Sequence, residues 1–308
     1  MTQTQSIGDL PLRLGGTLKD ARLAYVALGR LAPDGRNAIL MTHGYTSSHE
    51  YILGGAAASE GSWSGLVGPG KAIDTDRYFV VSSNMLGSAF GSTAPRSPNP
   101  ATGRPYGPDF PPITLPDMIT AQRRMLDALG VKQLVAVAGP SYGGFQAFTW
   151  GVEYPDFMKG LVPTVTAPVC RAIDIDATEA FLAQDPNWNG GHYYEAGGIL
   201  DTMTRLREDT LRRYGIDESL AANLPGKTER DAEILRMARA WAEAFDGHSL
   251  LALGRAMNRY DVRPDLAKIK AKLLYVLSRT DKLFPPSLAA EVMPALAAAG
   301  VDATYEEI

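Results

Sequence analysis

Residues 139–144 read Gly-Pro-Ser-Tyr-Gly-Gly, between the apolar run QLVAVA and the helix-forming run FQAFTWGVEY. The spacing G-x-S-x-G in that setting is the pattern of a serine on a sharp strand-to-helix turn. Its chemistry would be nucleophilic, with the Ser141 hydroxyl attacking an acyl carbon. Glycines suit such a turn because backbones pass close together there. The helix start aims its free N–H groups and positive dipole end at the same point. The Tyr142 N–H is therefore expected to help hold a developing oxyanion. His43-Gly44-Tyr45-Thr46 closes another strand-like run, NAILMT, and its Tyr45 N–H is the expected second donor. His43 is read as shaping that turn. Asp281, in LSRTDKLFPPS, follows a third strong strand and can orient a histidine and stabilise its cation. The bland alternative for Ser141 is a solvent-facing serine at a glycine-rich helix start.

Elements that could position these residues alternate along the chain. ARLAYVALG (21–29), NAILMTHG (37–44), RYFVVSSN (77–84), QLVAVAG (133–139), GLVPTVTAP (160–168), KLLYVLS (272–278) and ATYEEI (303–308) read as strands. Thr114 opens a helix with Asp117 as capping-box partner. Met118, Ile119, Gln122, Met125, Leu126 and Leu129 form its apolar stripe, and Gly130 ends it. A further helix is expected from about Pro286 to Ala299. Residues 87–112 are rich in Gly and Pro and read as a long functional loop. This alternation implies an α/β fold with a mostly parallel sheet flanked by helices. Residues 169–263 break it with helical patterns rich in Arg, Glu and Ala, and read as an inserted helical lid. The core would then comprise 1–168 and 264–308.

Composition narrows the function classes. A net charge of −4 with no long basic cluster argues against nucleic acid and anionic membranes as partners. Cys170 is the only cysteine, which excludes an intrachain disulfide and a cysteine metal cluster. No run approaches a membrane span, and the N-terminus lacks a signal-peptide pattern, so a cytoplasmic protein is expected. Gly65 to Lys71 imitates a phosphate-binding loop, but Ala72 stands where Ser or Thr would bind magnesium. No bound cofactor or metal is expected.

Several separate segments resemble the homoserine O-acetyltransferase family of α/β-hydrolase-fold enzymes. They are GLVGPGKAIDTDRYFVVSSN (65–84), GSTAPRSPNPATGRPYGPDFPPITLPDM (91–118), DPNWNGG (185–191) and DKLFPP (281–286). The likeness runs from about residue 14 to the end. It implies Ser141 as nucleophile, Asp281 as triad acid, and Tyr45 and Tyr142 as oxyanion-hole residues. It also implies an acyl donor such as acetyl-CoA, and a lid arginine for the substrate carboxylate, with Arg205 near that place. The partners would be a small-molecule acyl donor and acceptor, with a homodimer contact through the lid. Two motifs depart from the family. Its elbow usually reads Gly-Gly-Ser-Met-Gly-Gly, and its oxyanion turn His-Ala-Leu-Thr.

The chain order in α/β-hydrolases is Ser, Asp, His, and the resemblance implies a histidine a few residues after the strand that here ends at Ile308. His43 and His49 lie in or just after the oxyanion turn, and His192 and His248 in the expected lid. The reading frame is thus expected to continue past Ile308 and supply a histidine; the competing reading is a catalytically impaired relative. Three function classes stand: acyl transfer to a small hydroxylated acceptor, hydrolysis of the same acyl-serine by water, and non-catalytic binding on this fold. Transfer and hydrolysis share nucleophile and oxyanion hole, and differ in how well the lid excludes water and grips the acceptor.

Overall fold

The computed structural model describes residues 1–55 and 62–308. Among them the chain forms β1 (Gln3–Pro11), β2 (Thr17–Leu28), β3 (Ala38–Thr42), the two-residue strands β4 (Val67–Gly68) and β5 (Ile73–Asp74), and β6 (Phe79–Ser83). Then come α1 (Leu115–Ala128), β7 (Leu134–Pro140), α2 (Tyr142–Glu153) and β8 (Met158–Thr164). Five helices follow: α3 (Ile175–Leu182), α4 (Leu200–Arg213), α5 (Ile216–Leu220), α6 (Lys227–Ala244) and α7 (Gly247–Met257). The chain returns to the sheet with β9 (Lys272–Leu277), α8 (Ala289–Ala298) and β10 (Ala303–Glu307).

The main sheet has the order β1-β2-β6-β3-β7-β8-β9-β10. β1 and β2 pair antiparallel, and β2 is antiparallel to β6; every later pairing is parallel. This is the α/β fold with a mostly parallel sheet expected from the alternating pattern, in the arrangement that the α/β-hydrolase resemblance implies. β3 shows why its run is apolar up to Thr42. All five of its residues are buried, with Ala38 and Leu40 in the main core and Ile39 and Met41 in a second cluster. Side chains alternate between faces, so a strand covered on both faces needs no polar positions.

Helix α1 begins as its sequence suggests. The Thr114 N–H donates to Asp117 Oδ2 at 2.8 Å, and the Asp117 N–H donates back to Thr114 Oγ1 at 3.4 Å. Met118, Ile119, Gln122, Met125 and Leu126 are buried on its inner stripe. Gln122 continues a buried polar chain. Trp150 Nε1 donates to Gln122 Oε1, and Gln122 Nε2 donates to Gln146 Oε1, both at 2.7 Å. Gln146 Nε2 then donates to the His43 carbonyl at 3.3 Å, so α1, α2 and the turn after β3 are tied by one satisfied network.

Residues 87–112 hold no regular element beyond a short 3-10 turn, Gly107–Asp109. Much of the start of this stretch is nevertheless buried. Its Ser92 and Thr93 side chains accept N–H groups of β2 at 3.1 and 2.9 Å. Of the five helices between β8 and β9, α7 buries nine of its residues, including Leu250, Leu251 and Leu253 in the main core. Among the described residues no helix is long and apolar enough to cross a membrane.

Candidate active site

Ser141 sits between β7 and α2 with φ 53° and ψ −119°, a conformation that costs a non-glycine residue energy. The surroundings hold it there. Its N–H donates to Thr164 O at 2.9 Å, and its carbonyl accepts Thr166 Oγ1 at 2.9 Å and the N–H groups of Gly144 and Phe145. Each flanking glycine has a steric cause. A Cβ at Gly139 or Gly143 would run into the Thr42 backbone carbonyl, and one at Gly144 into the Thr166 side chain. Thr42 Oγ1 donates to Gly143 O at 2.9 Å and to Ala138 O at 3.2 Å, which clamps β3 against the elbow. No side chain among the described residues hydrogen-bonds to the Ser141 hydroxyl.

The turn after β3 lies beside this elbow, since its His43 carbonyl meets Gln146 of α2. Neither the Tyr45 N–H nor the Tyr142 N–H donates to an acceptor among the described residues. Two free donors on the turn and at the helix start can hold a developing negative oxygen. The two tyrosine rings stack at 5.8 Å with planes 17° apart. Burial pushes both phenols above the ordinary tyrosine range, so both remain neutral donors.

His43 is wholly occupied in shaping the turn. Its Nδ1 lies 2.9 Å from Gly44 O, and its Nε2 accepts the Met85 N–H at 3.1 Å. A carbonyl can only accept, so Nδ1 carries the proton and the ring is neutral. Burial pushes its pKa down to about 3. His49 is also buried, with Nε2 3.0 Å from Thr2 Oγ1, and burial lowers its pKa to about 4. His248 is held by Gly191 O, at 2.6 Å from its Nε2. His192 is exposed. None of the four rings hydrogen-bonds to Ser141.

Asp281 stands in the loop after β9. Its Oδ1 accepts the N–H groups of Leu283 and Phe284, both at 2.8 Å, which folds the loop around the carboxylate. Phe284 packs edge-on against Phe145 of α2 at 6.0 Å. Register puts both residues at one end of the sheet. Pro140 pairs with Thr164 and Thr164 with Val276, so Ser141 and Asp281 follow strands that end level with each other. Ile308 joins the same edge, because its N–H donates to Leu277 O at 3.0 Å and its carbonyl accepts the Arg279 N–H at 2.8 Å.

Arg205 does not reach this site. It is exposed on α4, donates to Thr202 Oγ1 at 3.0 Å and lies over the Phe181 ring. Arg207 is the α4 arginine that turns inward. It is buried, donates to Thr46 Oγ1 at 3.3 Å and lies over the Trp241 ring at 4.7 Å. Trp241 Nε1 in turn donates to Thr46 O at 3.0 Å, so the turn bearing Tyr45 is held from the α4–α6 side.

Known proteins place this geometry in a family. Residues 37–303 match the model of the alpha/beta hydrolase fold. The chain is similar to a homoserine O-acetyltransferase of Symbiobacterium thermophilum, 39% identical over 97% of this chain and 85% of that protein. A homoserine O-succinyltransferase of Methylibium petroleiphilum is 36% identical over 97% of this chain and 84% of its own length. Among solved structures, esterase E22 superposes with a TM-score of 0.87 at 27% identity, covering 100% of this chain and 93% of that one. The homoserine O-acetyltransferase from Bacillus anthracis gives 0.85 at 26% identity, covering 100% and 91%. The chain belongs to the homoserine O-acetyl- and O-succinyltransferase family of α/β hydrolase-fold enzymes.

Proposed function

We propose that this protein transfers a short acyl group, acetyl foremost, from an acyl-CoA thioester to the hydroxyl of homoserine or a close analogue, through an acyl-serine at Ser141. The observation that carries the reading is Ser141 in a strained conformation, with two unengaged N–H donors on the adjoining segments. In the first half, Ser141 Oγ attacks the thioester carbonyl and gives its proton to an imidazole oriented by Asp281. The carbonyl electrons rest on an oxygen held by the Tyr45 and Tyr142 N–H groups. They return as the C–S bond breaks, and the thiolate leaves with the proton from the imidazole. In the second half the acceptor hydroxyl repeats the attack on the acyl-serine, and Ser141 is released. Arg207 fits the acceptor carboxylate better than Arg205, because it faces the turn that carries Tyr45. Any residue that follows Ile308 would emerge beside the Asp281 loop, where the imidazole is required. The same proposal includes a homodimer contact through the lid, residues 169–263.

Hydrolysis is the second reading. It is favoured by the likeness to esterase E22 and by tyrosines at two positions where the family usually has methionine and leucine. A bound hydroxyl outcompetes water only if the site grips and aligns it. The test supplies acetyl-CoA or succinyl-CoA with and without homoserine, and measures thiol release and O-acyl product. Thiol release that requires homoserine and matches O-acetylhomoserine supports transfer. Cleavage indifferent to the acceptor supports hydrolysis and rejects transfer.

A further inference from the structure

The side chains of Tyr45 and Tyr142 share a destination. Tyr45 Oη donates to the Leu250 carbonyl at 2.6 Å, and Tyr142 Oη donates to the Leu253 carbonyl at 3.1 Å. Both acceptors belong to α7 and lie about one turn apart. Gly254 makes the approach feasible, since a Cβ there would stand 2.6 Å from Tyr45 Oη. Helix α7 is itself firmly fixed. Asp246 caps it by accepting the Ser249 N–H at 2.9 Å, and also accepts the Tyr193 and Tyr194 hydroxyls at 2.8 and 3.1 Å. His248, stacked on Tyr193 at 4.9 Å, ties the helix start to Gly191. Leucine and methionine, usual at the two tyrosine positions in the family, have no hydroxyl for either bond.

We propose that Tyr45 and Tyr142 are positioning residues whose hydroxyls brace both oxyanion N–H groups against α7, so that this helix sets the spacing of the oxyanion hole. The inference rests on the reading of Ser141 as the nucleophile. An oxyanion donor works only when it meets the transition-state oxygen at hydrogen-bond distance. A displacement of about 1 Å from a change outside the reacting groups can cost ~10²-fold in rate. A main-chain donor cannot be aimed by its own torsions alone. Here each is attached to a residue whose far end is bonded to a rigid helix, and the stacked rings couple one to the other.

The test removes single oxygen atoms. Tyr45→Phe and Tyr142→Phe keep the rings and the stack but lose the bonds to α7. Tyr260→Phe is the structural control, because its buried hydroxyl donates to Ala167 O at 3.2 Å without any oxyanion N–H on that residue. The readouts are the acylation rate of Ser141 by p-nitrophenyl acetate, KM for that ester, the affinity of an aryl boronic acid that forms a tetrahedral adduct, and the urea midpoint. Each of the first two variants is expected to acylate about 10–100-fold more slowly, with KM within about twofold and boronate affinity falling in parallel. Tyr260→Phe should lose comparable stability while its acylation rate stays within about twofold. Equal acylation in parent and both phenylalanine variants would overturn the positioning role and leave Ser141 standing. So would losses no larger than those of Tyr260→Phe. If mass spectrometry finds no adduct on Ser141 of the parent, the nucleophile reading fails and the positioning role fails with it.

Discussion

Replacing Ser141 by glycine should make this protein more stable. Ser141 is held at φ 53° and ψ −119°, where a Cβ is unfavourable, and among the described residues its hydroxyl has no hydrogen-bond partner to lose. Relief of such strain is worth ~1–3 kcal/mol. Glycine gives back roughly 0.5–1 kcal/mol through its greater freedom in the unfolded chain. The net gain of Ser141→Gly over Ser141→Ala is therefore about 0.5–2 kcal/mol, since alanine keeps the Cβ and the strain. Unfolding entropy near 2.1 cal/mol/K per residue gives about 650 cal/mol/K for 308 residues, so the gain appears as ~1–3 °C in Tm. Calorimetry on the parent and both variants would measure it, with loss of activated-ester turnover in both as confirmation that the site was removed. A glycine variant melting at or below the alanine variant would refute the claim that the elbow stores strain.

Other perturbations probe the same neighbourhood. Asp281→Asn keeps an oxygen for the Leu283 and Phe284 N–H groups, so the loop should persist while kcat falls by about 10⁴, as when a triad acid is lost; a near-normal kcat would assign the role to another carboxylate. Thr42→Val removes the donor shared by Gly143 O and Ala138 O, and should cost ~1–3 kcal/mol in urea unfolding along with reduced Ser141 acylation. His43, with a folded pKa of about 3, lies below its unfolded value near 6.5, so the unfolded chain takes the proton first. Stability from the neutral ring is complete above about pH 6.5 and is lost as pH falls toward 3. The loss is on the order of 2–3 kcal/mol by pH 4.5. Urea midpoints across that range should fall in the parent and fall less in His43→Gln; identical slopes would mean that another group carries the titration.

The elbow was legible because its chemistry and its sterics both write to sequence, through a serine between glycines after an apolar run. Strand β1 was not. Only Ile7 and Leu10 of its nine residues are buried, and register shifts on either side of Gly8 break the alternation. It is a strand because β2 offers it a ladder, which no local pattern records. The two α4 arginines differ for a geometric reason that spacing in a sequence does not display. Two residues apart on a helix means about 200° of rotation, so Arg205 is exposed while Arg207 is buried against the turn. The tyrosine anchors were invisible for a different reason. Their acceptors are main-chain carbonyls more than 100 positions downstream, and a carbonyl has no residue type.

The contact between Thr42 and the elbow changes what the G-x-S-x-G signature can report. Gly139 and Gly143 are small because the neighbouring strand's carbonyl passes over them, and Gly144 because Thr166 does. Those pressures come from folding and persist whether or not a reaction follows. A descendant that had abandoned acyl chemistry would keep all three glycines for as long as it kept this sheet. Scanning genomes with the motif therefore finds architecture first. The informative letter is the serine, the one residue of the motif that bears a strain its own replacement would relieve, and a lineage freed from catalysis would be under mild pressure to drift to glycine there.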